Sequence, residues 1–399
     1  MGNNKHDAHP YEDRGYQREM YDLNVLHDAF NRARKSSAWK TDTQKFSMYW
    51  LLEITKMSQQ LKNKTYRLSP SAEFTINERG KVRYIHGERM RDRVIKHALC
   101  DEIVNPSIEP YLISDNSASR KNKGIDYARK RLEDQIHKFY RETGSNEGYI
   151  LIMDFSKYYD NIRHDILLDE FRKYIHNETA LWMLEQIIHR EEIDVSYMSD
   201  SEYTNCMNQV FNSLDYHNLQ FNKTGQKMMK KHLNIGDQSA QAAGIMYPIP
   251  WDNFAKIILR IKKFSRYMDD SAIIARTKAE LMSWLELLDD MAKRLGIFIN
   301  RRKTRLCKLS SKWRFLQIEY TLTETGHLIR KINPKRLHVH KRKLKKLAGV
   351  ISEAKFDDLY KCWFCRHLKY MSKKQRTNLE SLYFQLKEQY YEGKCCIGA

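Results

Sequence analysis

Phe264-Ser265-Arg266-Tyr267-Met268-Asp269-Asp270-Ser271-Ala272-Ile273-Ile274-Ala275 sets two adjacent acids between two short apolar runs. Runs this short, bounded by turn residues, fit buried strands, so Phe264 to Tyr267 and Ser271 to Ala275 read as two strands and Met268-Asp269-Asp270 as their tight turn. A second apolar run, Gly148-Tyr149-Ile150-Leu151-Ile152-Met153, ends at Asp154. Its length and composition predict a buried strand with a carboxylate at its tip. A single acid at a strand end is ordinarily a solvated turn residue. Three acids on neighbouring strand ends are different, because Mg²⁺ takes a few protein oxygens and keeps positions open for phosphate and water. Two such ions about 3.5–4 Å apart are what nucleotidyl transfer requires. Asp154, Asp269 and Asp270 are therefore the candidate metal ligands and catalytic carboxylates.

Tyr267-Met268-Asp269-Asp270 resembles the central motif of reverse transcriptases, and further motifs follow in that family's order. Asp154-Phe155-Ser156-Lys157-Tyr158-Tyr159 resembles motif A, which implies a place for Phe155 and Tyr159 at the nucleotide, with Tyr159 packed under the sugar and excluding a 2′-hydroxyl. Ile235-Gly236-Asp237-Gln238-Ser239-Ala240-Gln241 resembles motif B, where Gly236 and Gln241 would meet nucleotide and template. A Gly followed five residues on by Gln is closer to diversity-generating retroelements and defence-associated bacterial enzymes than to group II intron enzymes. Leu295-Gly296, Asn300 and Lys303-Thr304 resemble motif D, which implies that Lys303 protonates the pyrophosphate leaving group. Phe315-Leu316-Gln317-Ile318 resembles the primer grip, with Gln317 where glycine is usual. Gly80 to Ile85, Asp92 to Ile95 and Ser119 to Gly124 resemble the first two family motifs. There Lys81, Arg83 and Arg120 would clamp the triphosphate of the incoming dNTP.

The resemblance runs from about residue 65 to about residue 320. It implies an α+β right-hand polymerase, with an antiparallel palm sheet and its helices, fingers and a helical thumb. The corresponding boundaries are 1–60 for an N-terminal helical lead-in, 61–147 for the fingers, 148–322 for the palm and 323–399 for a basic thumb. Asp154 and Gly236 stand 82 positions apart, a long separation that coincides with a polar stretch near 190–234, read as a long loop or small inserted element. By the same resemblance the cofactor is Mg²⁺, two ions, with Mn²⁺ as a substitute. The partners are dNTPs, a DNA product and a template RNA, expected to be a structured non-coding RNA used in bacterial antiphage defence. A homo-oligomer or a companion protein is compatible with this set.

Composition agrees with such partners. The 399 residues carry 70 Lys and Arg against 50 Asp and Glu, a formal charge of +20 that calls for a polyanion. After Leu328 the bases Arg330, Lys331, Lys335, Arg336, Lys341, Arg342, Lys343, Lys345 and Lys346 follow one another without an acid. Leu337, Leu344, Leu347 and Ile351 recur in the same stretch, which predicts a packed helix whose outer face carries charge for a template–primer duplex, Lys341, Arg342, Lys345 and Lys346 above all. There is no apolar run near about 20 residues and no charged-then-apolar leader, so no membrane partner and a cytoplasmic site are expected. The seven cysteines, odd in number and scattered, suit reduced and ordinarily buried thiols. Cys362 and Cys365, near His367 and Cys395-Cys396, lack the second Cys-x-x-Cys of a zinc site. Three alternatives stay open: a diversity-generating-retroelement reverse transcriptase, a catalytically inactive polymerase-like RNA-binding protein, and an RNA-templated RNA polymerase, which a dNTP-against-rNTP test separates. No endonuclease, integrase or ribonuclease H domain fits in the residues outside these motifs.

Overall fold

Ile150, Leu151 and Met153 are buried along the strand Tyr149–Asp154, as a central strand with little polar character requires. It lies in a four-stranded antiparallel sheet in the order Phe264–Tyr267, Asp270–Ala275, Tyr149–Asp154, Arg305–Lys308. The last of these is an edge strand and exposes Arg305 and Lys308, charges that discourage pairing with another chain. A computed structural model describes residues 18–35, 37–78, 80–217 and 224–392. The chain forms two compact units. Helices and antiparallel sheets are mixed in an α+β arrangement.

One unit holds Arg120–Asp154, Leu259–Leu287 and the described residues from Asn300 onward. Beside the four-stranded sheet it has a three-stranded one, Leu328–Ile332, Ile318–Leu322, Trp313–Phe315, also antiparallel. Its core joins Leu132, Ile136 and Phe139 of the helix Ile125–Thr143 to Ile150 and Ile274 of the first sheet and Tyr320 of the second. Leu344, Phe356 and Leu379, one from each of the helices Pro334–Leu347, Glu353–His367 and Lys373–Lys387, complete it. The basic stretch thus begins within a strand, where Arg330 and Lys331 lie, and becomes helical only at Pro334. Cys362 and Cys365 are exposed on their helix, which corrects the expectation of buried thiols; Cys395 and Cys396 lie outside the described residues.

The other unit holds the described residues up to Ser119, Phe155–Ile258 and Leu288–Ile299. Its helix Leu23–Arg34 buries Val25, Leu26, Ala29, Phe30 and Ala33, the spacing of one helical face. In the helix Trp50–Lys62 the buried face is Ile54, Met57 and Leu61, while Leu51 and Leu52 are exposed. The hairpin Ala72–Glu78 with Lys81–Gly87 and the helix Met90–Leu99 follow.

The segment near 190–234 has more structure than a loop. Ile193–Asp194 pairs with Met228–Met229, and the helix Asp200–Asn208 starts with a capping box from Ser199 and Glu202. Ile193, Val195, Met198, Phe211 and Met229 form a small core of their own. The Lys231 ammonium donates to the carbonyls of Cys206, Met207 and Gln209 at 3.1, 3.2 and 2.8 Å, satisfying the end of that helix. Burial, then Arg163, lowers its pKa to about 8. Residues 218–223 of this segment lie outside the described ones. Among the described residues no helix is long and apolar enough to cross a membrane.

Candidate active site

Strand register brings two of the three acids together. Asp154 ends its strand directly opposite Asp270, the first residue of the neighbouring one. Directly opposed side chains have Cβ atoms about 4.5–5.5 Å apart, and like charges there repel. Tyr267 pairs with Asp270, so Met268 and Asp269 make a two-residue turn. Met268 has φ 55°, the left-handed value that the first position of a type II′ turn demands and that glycine usually supplies. A residue so held costs on the order of 1–3 kcal/mol, and such strain collects at functional sites. The buried Arg266 braces the turn by donating to the Met268 carbonyl at 3.1 Å.

A cation already answers the repulsion. Lys303 Nζ lies 2.5 Å from Asp154 Oδ2. Its loop hangs from the same residue, since the Asn300 amide donates to the Asp154 carbonyl at 2.7 Å and the Lys303 amide to the Asn300 carbonyl at 3.0 Å. The carboxylates offer hard oxygen donors, the ligand class that Mg²⁺ prefers. Among the described residues no three or more His, Cys, Asp or Glu side chains are grouped so as to hold a metal ion.

In the other unit the residues after Asp154 turn inward. Phe155 is 2% exposed and packs edge-on against Trp251 with ring centroids 5.2 Å apart. Tyr159, half-buried, sits in the turn Tyr159–Asn161, its carbonyl accepting from the Leu233 amide at 2.9 Å. Gly236 has φ 129°, open to glycine alone without strain, and ushers in the helix Gln238–Met246. Asp237 caps that helix, accepting from the Ala240 amide at 2.6 Å.

The same Asp237 belongs to a buried ionic cluster. Lys96, 1% exposed, reaches Asp237 at 2.6 Å and Glu88 at 2.5 Å. Burial opposes its charge, but the two carboxylates outweigh burial and hold its pKa above the usual lysine range. Burial likewise raises Glu88, partly offset by Lys96, while Lys96 and the Ala240 amide overcome burial and keep Asp237 low. The cluster floors a cavity of about 610 Å³ that Gly236, Gln238 and Gln241 also line. Asp92 and Arg93 serve structure here: Asp92 accepts from Tyr66 Oη at 2.7 Å, and Arg93 donates to the Ala33 carbonyl at 2.6 Å. Arg83 lies on its strand opposite Ile76 and Lys81 opposite Glu78, with the Lys81 side chain outside what is described. Arg120 opens the unit that carries the carboxylates.

At the motif likened to the primer grip, Leu316 and Gln317 both have positive φ, 43° and 77°, in a two-residue turn between paired Phe315 and Ile318. That is type I′ geometry, which explains why glycine is usual there. Arg129, fully buried, donates to the Leu316 carbonyl at 2.7 Å, and Arg336 donates to the Gln317 side chain. On the C-terminal helices, Lys341, Arg342 and Lys345 line a groove of about 410 Å³ with Asn378, Ser381 and Gln385 facing them; Lys346 is exposed outside its lining.

Sequence reasoning missed Lys96, Arg129, Tyr158 and Gly244. Gly244 alone left a signal, a glycine inside a helical run of alanines, where it costs about 1 kcal/mol against alanine and so calls for a packing reason. A family model described as reverse transcriptase (RNA-dependent DNA polymerase) matches residues 76–320, more than half of the 399-residue chain. No curated protein matches the sequence.

Proposed function

Because the chain belongs to the reverse transcriptase family and is an RNA-directed DNA polymerase, a nucleotidyltransferase, we propose that Asp154, Asp269 and Asp270 form its catalytic centre. The observation that carries this reading is the register pairing of Asp154 with Asp270, beside the strained turn that holds Asp269. These carboxylates would hold two Mg²⁺ ions, which when bound activate the primer 3′-oxygen and neutralise the triphosphate. Lys303, which pairs with Asp154 in the free protein, would give the proton of its Nζ to the bridging oxygen of the departing pyrophosphate. The 3′-hydroxyl would give its proton to solvent, and the bond from the 3′-oxygen to the α-phosphorus would form as that bridging bond breaks. Tyr159 excludes a 2′-hydroxyl by its bulk. Gly236 and Gln241 meet the nucleotide and template, with Lys81, Arg83 and Arg120 on the phosphates.

In this reading residues 61–147 are fingers, 148–322 palm with the 190–234 insertion, and 323–399 thumb, after a lead-in over 1–60. Lys341, Arg342, Lys345 and Lys346 contact duplex phosphates. The test is primer extension on an RNA template, with dNTPs incorporated, rNTPs refused and activity lost on chelation. Incorporation of rNTPs at the dNTP rate would point to an RNA polymerase.

The biological reading is a cytoplasmic bacterial defence enzyme that copies one structured non-coding RNA, recognised by shape. Gly236 followed by Gln241 also supports a diversity-generating retroelement enzyme. Sequencing RNA and cDNA that copurify from the host separates them: one dominant RNA with a repeated cDNA supports the first, and a diverse RNA population defeats it.

A further inference from the structure

Gly244 lies inside the helix Gln238–Met246 and is buried. A Cβ built on it would stand 2.7 Å from the Tyr159 hydroxyl oxygen and 3.1 Å from Cζ. The first distance is one that real side chains do not tolerate, and the second yields only if the ring moves. The neighbouring tyrosine holds the same residue from its other polar group. Tyr158 Oη donates to the Gly244 carbonyl at 2.7 Å. In an uninterrupted helix that carbonyl would accept from the amide four residues on, but residue 248 is proline and has no N–H. The Tyr158 hydroxyl takes the missing donor's place, and the two tyrosine rings meet edge to face at 5.4 Å.

We infer that Gly244 and Tyr158 are positioning residues that set the height of Tyr159 and thereby the strictness of sugar selection. This rests on the reading of Tyr159 as the sugar gate. With no side chain at 244 the ring settles against the helix and leaves room for a deoxyribose. Any side chain there lifts the ring toward the sugar. The hydrogen bond from Tyr158 fixes the helix backbone at the point where the gate rests.

The test compares Gly244→Ala, Tyr159→Phe and the double variant in primer extension and thermal unfolding. Gly244→Ala is expected to raise KM for dNTP about tenfold with a smaller effect on kcat. Tyr159→Phe, which removes the atom nearest the new methyl group, is expected to restore KM in the double variant to within about twofold. A KM defect in Gly244→Ala that Tyr159→Phe does not relieve overturns the inference, and unfolding of both variants shows whether the helix itself has failed. Tyr158→Phe is expected to lower the dNTP-to-rNTP preference severalfold; an unchanged preference removes Tyr158 from the device. In a separate arm, Tyr159→Ala with unaltered sugar preference would overturn the gate reading itself, even if rescue of thermal stability in the double variant still shows the packing.

Discussion

Replacing Lys96 with methionine keeps the side chain's length and removes its charge from between Asp237 and Glu88, 2.6 and 2.5 Å away. Breaking a buried ion pair on one side costs about 3–5 kcal/mol, because a charge is left without compensation. Here each carboxylate keeps other partners. Glu88 retains Arg190 at 2.5 Å, and Asp237 retains the Ala240 amide at 2.6 Å and Ser239 Oγ at 2.7 Å. The expected loss is therefore at the lower end, about 3 kcal/mol near neutral pH. It must also depend on pH. Burial already raises the Glu88 pKa in the native state, and loss of Lys96 raises it further. A carboxyl whose folded pKa exceeds its unfolded one binds more protons when folded, so the variant regains stability as pH falls through that raised value toward the ordinary one. Urea unfolding at about pH 8 and about pH 5.5 should show the deficit shrinking by about 1 kcal/mol or more. Because Asp237 caps the helix Gln238–Met246, KM for dNTP should rise in parallel. A loss below about 1 kcal/mol that does not vary with pH would refute the reasoning.

Other consequences follow from the same geometry. His340, buried and stacked on Trp363 at 4.1 Å, has its pKa lowered to about 4 by burial, then by His367 and Lys343. With an unfolded value near 6.5, it withdraws about 2 kcal/mol of stability as pH falls to about 5, and His340→Phe should flatten that part of the profile in urea unfolding. Equal acid sensitivity in variant and parent would deny it. Changing Lys341, Arg342 and Lys345 together to glutamine should reduce the salt slope of template–primer binding by about 2–3, and an unaltered slope moves the duplex elsewhere. Lys303→Ala should lower kcat about 10²–10⁴-fold with RNA affinity unchanged, whereas a loss confined to KM would remove its role as proton donor.

Much of the sheet was legible because each strand carries its signal locally. The apolar runs before Asp154 and around Asp269-Asp270 appear as neighbouring strands, and the helical spacing in 334–347 appears as a helix that buries Leu337 and Leu344. The inserted segment was not legible, since its strands are two residues long and its nine-residue helix buries no side chain completely. Periodicity needs several turns to register. Nor were the supporting residues. Lys96 reads as an ordinary surface lysine within a basic chain, and only its distant partners Glu88 and Asp237 explain its burial. Arg129 acts on a carbonyl 187 positions away, and Gly244 matters through a ring 85 positions before it.

The central claim is that the paired carboxylates catalyse nucleotide transfer, and the most direct measurement is the rate of dNTP incorporation on an RNA template by the Asp269→Asn/Asp270→Asn variant. RNA affinity and the unfolding midpoint are recorded alongside it. Loss of incorporation by several orders of magnitude, with binding and midpoint close to those of the parent, is the result this account predicts. Polymerisation retained at a comparable rate in the folded variant would contradict it.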